Sequence, residues 1–381
     1  MSATNVRDRL RELADLSLEF LPAMFDARKG LFSQKTIVRD GRYMNREPNL
    51  LYSTVSLVGL LMQQRRAADT LLPLGRAMDG VHEEARGNTS GAVLGNLVWA
   101  SALAGDSRGA QALSELAQLD PERQHAGQLG QALHGLVTGA EAYPSGRERA
   151  ERAARAVASE IERRFRPRGD GFRLSPTSGG RARSRVFYGV GSFAGQVYPL
   201  HGLGALHRRT GEPLPACAVR VANRIVEAQG PLGQWWWIYS LRARRVLEGY
   251  PVYSVHQDGM AFLGLVPMEE LGAGSYVGAL SKGLDWLYGK NELGRSMVER
   301  DPAFIPRCIQ RSGSGADLPF GLSYPRYALM IGRAQVPWVG SDGNKPAPQR
   351  LEVLHECRSY HLGWLLYAHA LMERLSGSTA G

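Results

Sequence analysis

Small and apolar residues crowd together in six stretches of the chain: Leu51 to Met62 (LYSTVSLVGLLM), Gly91 to Gly105, Gly127 to Gly139, Ser192 to Leu206, Ser254 to Leu265 and Ser359 to Met372. Within each, the apolar positions cover nearly every face at the helical period, and helices apolar all round are buried helices. Between them run charged amphipathic segments such as Arg147 to Arg164 (RERAERAARAVASEIERR), whose mixed signs suit a face turned to water. Strand-type alternation is scarce. Six such alternations describe a repeat architecture, and its natural closure is a ring. The pattern therefore predicts an all-α fold, an (α/α)6 barrel or toroid of about twelve helices, as a single domain over residues 1–381. An open α-solenoid is the rival architecture, and no tetratricopeptide or ankyrin consensus supports it.

The repeat is interrupted by large additions after Phe165, after Gln229 and after Asn291, which are predicted to be loops around one mouth of the barrel, where function tends to sit. If the inner helices run the same way, their N-termini gather at that mouth. Tyr52, Gln196, Tyr198, Tyr253, His256, Gln257, Asp258, Arg358, Tyr360 and His361 then lie in or near their first turns. Helix N-termini carry partial positive charge, so this mouth favours an anionic or oxygen-rich ligand.

One run stands out within that geometry. Gln234, Trp235, Trp236 and Trp237 lead to GYPVYSVHQDGM, Gly249 to Met260, which holds Tyr250 and Tyr253 and then His256, Gln257 and Asp258. Each of these residues alone reads as structural: tryptophans fill space and an aspartate favours a helix start. Together, polar groups among aromatic rings at a helix mouth mark a ligand pocket. If the helix begins early enough, Tyr253, His256, Gln257 and Met260 share one face at i, i+3, i+4, i+7, with Asp258 off to its side. For Tyr198, Trp364 and Tyr367, core packing is the preferred reading.

The formal charge of +10 is carried almost wholly by arginine and favours an anionic partner; because the basic residues are dispersed and lysines are few, nucleic acid is disfavoured. Cys217, Cys308 and Cys357 are odd in number and far apart, without CxxC spacing, so neither a disulfide framework nor a zinc site is expected. No metal or cofactor is assigned. The first helix is charged and amphipathic rather than a signal peptide, and no apolar run approaches a membrane span, so a cytoplasmic protein without stable membrane insertion is expected. Phe165 to Arg185 holds six arginines and reads either as a solvated insertion or as a lid over an anionic substrate. Gly340 to Gly343 (GSDG) reads as a turn rather than a phosphate loop.

Two resemblances bear on function. Gln229, Gly233 and Trp235 in QGPLGQW have the spacing of the QW repeat of squalene and other terpene cyclases, α/α toroids related in fold to the protein prenyltransferases. What that motif implies is architecture, a turn capped by the glutamine and stacked by the tryptophan. The acidic DxDD signature of those cyclases and any DDxxD motif are missing. More broadly, GQWWW, EGYPVYSVHQDGM and the C-terminal SYHLGWLLYA resemble uncharacterised bacterial proteins of cell-surface polysaccharide gene neighbourhoods. The implied fold resembles the toroids of polysaccharide lyases, unsaturated-glucuronyl hydrolases and the glucuronyl C5-epimerase.

The chemistry implied is acid/base work on a carbohydrate, as in a lyase or epimerase. Abstracting a proton beside a carboxylate needs a group that neutralises the carboxylate and a base within reach. Arg358, Gln257 and His361 are candidates for the first task and Tyr253 or His256 for the second. Trp235, Trp236 and Trp237, with Tyr250, Gln196 and Tyr360, are candidate substrate contacts. Asp258 is counted with His256 and Tyr253 as a catalytic candidate. Hydrolysis by two flanking carboxylates ranks lower, because Glu248 is the only other acid near Asp258. An isoprenoid cyclase, with Asp258 as acid and aromatic faces for the carbocation, is the alternative; a non-catalytic binding toroid is the third. A cavity lined by several charged or amide groups implies a glycan, whereas an aromatic and aliphatic one implies an isoprenoid.

Overall fold

The computed structural model describes residues 3–63, 72–174, 189–312 and 350–378. Among these there are twelve α-helices: α1 Ala3–Phe20, α2 Leu50–Met62, α3 Leu74–Glu84, α4 Gly91–Ala104, α5 Gly109–Leu116, α6 Ala126–Ala142, α7 Arg147–Arg163, α8 Phe193–Thr210, α9 Ala216–Glu227, α10 Ala261–Glu270, α11 Val277–Leu287 and α12 Ser359–Ser378. The even-numbered helices pack side by side in the order α2, α4, α6, α8, α10, α12, and α12 returns to α2. The ring is closed. The odd-numbered helices lie outside: α3, α5, α7 and α9 each pack against the inner helices on either side, α11 packs on α10 and α1 on α12. The fold is an α/α toroid, and the six apolar stretches are its inner helices.

Local sequence explains the two layers. In α4 every residue from Gly91 to Ser101 is buried, as a helix surrounded by others requires. In α7 the buried positions Ala150, Ala154, Val157, Ala158, Glu160 and Ile161 form one stripe, and most of the other positions are arginine or glutamate. Glycine sets the spacing where inner helices touch through their backbones. A Cβ on Gly59 of α2 would strike the main chain of Gly363 in α12, and one on Gly135 of α6 would strike Gly95 in α4. Asn49 accepts the amide hydrogen of Tyr52 at 3.0 Å and Ser192 that of Gly195 at 3.0 Å, capping α2 and α8 at their N-termini.

The insertions form short antiparallel ribbons that tie these N-termini together. Thr36 and Cys357 exchange main-chain hydrogen bonds of 2.9 and 2.8 Å, joining the segments that enter α2 and α12. Strands β1 (Val252–Tyr253), β2 (Cys308–Arg311) and β3 (Leu351–Leu354) pair in that order and link the entries of α10 and α12. The amide of Phe193 donates to Trp237 at 2.8 Å and that of Ala126 to Leu174 at 3.2 Å, carrying the connection to α8 and α6. The N-terminal mouth is thereby laced by backbone hydrogen bonds. Of the arginine-rich loop, the structure describes only the part through Leu174; its remainder, like Gly340 to Gly343, lies outside the described residues. No helix is long and apolar enough to cross a membrane among the described residues.

Candidate active site

The entry to α10 departs from regular helix. Tyr253 is a strand residue, the helix starts at Ser254, and His256 to Met260 form a π-helical turn in which Ala261 donates to the His256 carbonyl. The expected shared face of Tyr253, His256, Gln257 and Met260 is therefore not formed, because the α-period does not run through a strand end and a π turn. The wider turn instead engages three consecutive side chains. His256 Nδ1 meets the Trp235 carbonyl at 3.3 Å. Gln257 accepts from the Trp235 amide at 3.3 Å and donates to the Tyr253 carbonyl at 3.1 Å. Asp258 faces His361 of α12, whose Nε2 lies 2.9 and 2.8 Å from its two carboxyl oxygens.

Burial sets the electrostatics of this group. Asp258 is completely buried and His361 nearly so. Desolvation raises the Asp258 carboxyl above its ordinary value, opposed by the attraction and hydrogen bond of His361. Desolvation lowers His256 to about 3, with repulsion from His361 adding to it, so its imidazole is neutral at physiological pH. The His256 ring packs 4.6 Å from Phe193 and 5.2 Å from Tyr253.

A charged cluster completes the mouth. Glu356, 1% exposed, is met by Lys35 Nζ at 2.6 Å, Arg307 at 2.5 Å and Arg358 at 2.8 Å. Burial by itself would raise this carboxyl, but Arg307, Lys35 and Arg358 outweigh it and hold it below the usual range. Three cations thus converge on one carboxylate. The Arg307 guanidinium lies over the Tyr253 ring, 5.2 Å from its centroid, and its buried Nε has no hydrogen-bond partner. Tyr360 packs against Tyr52 with the rings tilted by 45° and 4.5 Å apart, and Trp237 meets Tyr253 edge-on at 5.5 Å. Burial pushes the phenol of Tyr360 well above its ordinary value, so it stays protonated.

The structure thus brings together Tyr253, His256, Trp237, Arg358, Tyr360 and the Asp258–His361 pair. Other residues singled out by sequence serve the scaffold. Gln196 accepts from Phe172 N at 2.7 Å and donates to Phe172 O and Ser192 O at 3.0 and 3.2 Å, a brace across the mouth, as Gln257 is. Trp235 is fully buried, between Phe193 and the backbone of α11 at Gly283. Gln229 donates to the carbonyls of Gly233 and Ala279 at 3.0 and 2.9 Å, so the QW-like motif straps its turn to α11. Trp236 and Tyr250 belong to a separate cluster around Glu292, which accepts from Tyr250 Oη, Gln234 Nε2 and Trp286 Nε1 at 3.1, 3.0 and 2.8 Å. Glu248 pairs with Arg311 at 2.8 Å.

Arg307, Lys35 and Glu356 carry no signal in the sequence, since they come from three separate loops. Deeper in the ring, Trp99, His134, His201, Trp364 and Tyr367 pack against one another; His201 Nε2 lies 2.9 Å from Tyr367 Oη, and Trp364 Nε1 donates to Tyr198 Oη at 2.8 Å. A histidine inside an otherwise apolar stretch was the available sign for His134 and His201. No group of His, Cys, Asp and Glu among the described residues is arranged to hold a metal ion.

No family model matches the chain, and no curated protein matches it. Solved structures do. An unsaturated glucuronyl hydrolase from Streptococcus agalactiae superposes with a TM-score of 0.58 at 11% identity, covering 97% of this chain and 92% of that one. A family 88 glycosyl hydrolase from Bacteroides vulgatus gives 0.56 at 11% identity, with 97% and 99% covered. A polysaccharide lyase gives 0.53 at 12% identity, with 100% and 99% covered. At these identities the likeness is one of fold, and it is the α/α toroid described above.

Proposed function

We propose that this protein is an enzyme acting on a carbohydrate that carries a carboxylate, bound at the N-terminal mouth with its acid group against Arg307 and Arg358. The observation that carries this reading is the convergence of Lys35, Arg307 and Arg358 on the carboxylate of Glu356, set beside the rings of Tyr253, Trp237 and Tyr360. A guanidinium matches a carboxylate in geometry and charge, and aromatic rings offer faces for a sugar. The same charges disfavour an isoprenoid, whose cavity is aromatic and aliphatic. Asp258, fully buried with both oxygens on His361, is poorly placed to protonate a polyene.

The reaction proposed is acid/base chemistry at the ring carbon beside the carboxylate and its neighbour, one of which loses or gains a proton. Neutralising the carboxylate stabilises the charge that develops there, and a base or acid must stand within hydrogen-bond reach. His256 and Tyr253 are the groups proposed for that step. Elimination removes a proton from the carbon beside the carboxylate and expels the glycosidic oxygen from the next carbon, leaving a double bond. Hydrolysis of an unsaturated uronide places a proton on the far carbon of that double bond and adds water to the carbon beside the carboxylate, giving a hemiketal whose ring opening releases the second sugar. Neither direction needs the pair of flanking carboxylates on whose absence hydrolysis was ranked low from sequence. The names of the neighbouring structures, two hydrolases and a lyase, support the hydrolytic direction ahead of epimerisation.

The ultraviolet absorbance of the conjugated double bond distinguishes the directions. With an unsaturated uronyl disaccharide, hydrolysis lowers the absorbance; with an intact polyuronate, elimination raises it. Arg307→Met abolishes either change. If neither substrate is turned over and neither raises the melting temperature of the protein, the proposal is wrong and the toroid is a binding protein of another kind.

A further inference from the structure

The two imidazoles at the π turn are held by different partners through different ring nitrogens. A main-chain carbonyl can only accept, so the 3.3 Å contact of His256 Nδ1 with Trp235 O places a hydrogen on Nδ1 and leaves Nε2 with its lone pair. His361 is held the other way. Its Nε2 lies nearly equidistant from both oxygens of Asp258, 2.9 and 2.8 Å. A carboxylic acid donates through one oxygen; a carboxylate accepts through both, and near-equal distances fit the latter, with the hydrogen on Nε2. All three residues are within 4% of full burial, so bulk water does not scramble this arrangement. Burial raises the Asp258 carboxyl and the His361 hydrogen bond opposes that rise, while burial is the main reason that His256 is held neutral.

We propose that Asp258 and the Trp235 carbonyl set these imidazoles in opposite tautomers, so that Nε2 of His256 is the proton acceptor of the site and Asp258 is a positioning residue acting through His361. Opposite tautomers leave the free lone pair on Nε2 of His256 and on Nδ1 of His361, so each ring offers one defined basic nitrogen rather than two interchangeable ones. The π turn is what makes this possible, because it engages His256 and Asp258, two residues apart, with partners on different elements. The role in turnover rests on the proposed action on a uronide; the tautomers do not.

The test has two arms. Long-range proton–nitrogen spectra of histidine-labelled protein read the tautomers without any substrate: His256 protonated on Nδ1 and His361 on Nε2. Asp258→Asn, which can offer His361 either an oxygen or an amide hydrogen, shifts the ring nitrogens of His361 and leaves His256 unchanged. On an unsaturated uronyl disaccharide, Asp258→Asn lowers kcat about 10²-fold or more with little change in KM, the range typical of a disabled proton transfer, and Asp258→Glu restores part of it. A wild-type His256 protonated on Nε2, or His361 signals indifferent to Asp258→Asn, overturns the proposal whatever the activity. Correct tautomers without turnover of any uronide overturn only the functional reading on which the kinetic role rests.

Discussion

The rings of His134 and His201 lie face to face in the bore of the toroid, 4.1 Å apart and 10° from parallel, with Trp99 tilted beside them, 3.9 Å from His134 and 5.5 Å from His201. Two stacked, buried imidazoles cannot both accept a proton cheaply. Burial lowers His134 to about 3, and His201 well below its ordinary value, with Arg208 and Arg374 contributing in each case.

Acid should therefore unfold this protein early. A histidine whose folded pKa lies below the unfolded value contributes full stability above about pH 6.5; below it the unfolded chain binds protons that the folded chain refuses, and stability falls until the folded pKa is reached near 3. At pH 5 each such residue is about 1.5 units below its unfolded value, so His134 and His256 together remove on the order of 4 kcal/mol, and His201 acts in the same direction. Urea midpoints at about pH 7.5 and 5 measure this. His134→Gln should flatten the dependence; an unaltered midpoint across that interval contradicts it.

Gly59→Ala should cost about 1–3 kcal/mol, because its methyl group meets the backbone of Gly363, which cannot move aside without opening the α2–α12 contact. Gly75→Ala, with open space around its Cβ in α3, is the control and should be neutral or slightly stabilising. Equal effects of the two would mean that close packing of the inner ring is not what Gly59 provides.

Glu356→Gln removes the one carboxylate among Lys35, Arg307 and Arg358. Breaking a buried charge cluster from one side costs about 3–5 kcal/mol, and here the loss should shrink as salt is added, since what remains is repulsion among cations. Arg307→Met, which removes one of the three cations, should instead leave the melting temperature nearly unchanged and weaken glucuronate binding about tenfold or more, measured by calorimetry against glucose as the uncharged comparison.

Gln196→Ala separates a brace from a ligand contact. Its amide ends are spent on Phe172 and Ser192, so the variant should lose about 1–3 kcal/mol of stability while KM for a uronide stays the same. A raised KM at unchanged stability would assign Gln196 to the substrate.

What could be read in the sequence divides along the same line. The six inner helices were legible because a helix surrounded by helices must be apolar on all faces, and α4 shows that in eleven consecutive buried residues, Gly91 to Ser101. The region around His256 was legible because polar groups amid aromatic rings are rare in a core. Which of those residues were braces was not: Gln257 and Gln196 look like ligand contacts until their partners are seen to be peptide groups. Arg307, Lys35 and Glu356 were invisible for the opposite reason, being ordinary charged residues in three loops until folding brings them within salt-bridge distance.

The contact of α12 with α2 places the last inner helix beside the first. A solenoid can add or shed its terminal repeats and remain folded, but a closed circle has no terminal repeat to spare. The seam between Gly59 and Gly363 can form only after α12 has been made, so a nascent chain carries two raw apolar faces until then. Clipping away α12 should accordingly be felt at every helix, with amide exchange rising around the whole circumference rather than at one edge.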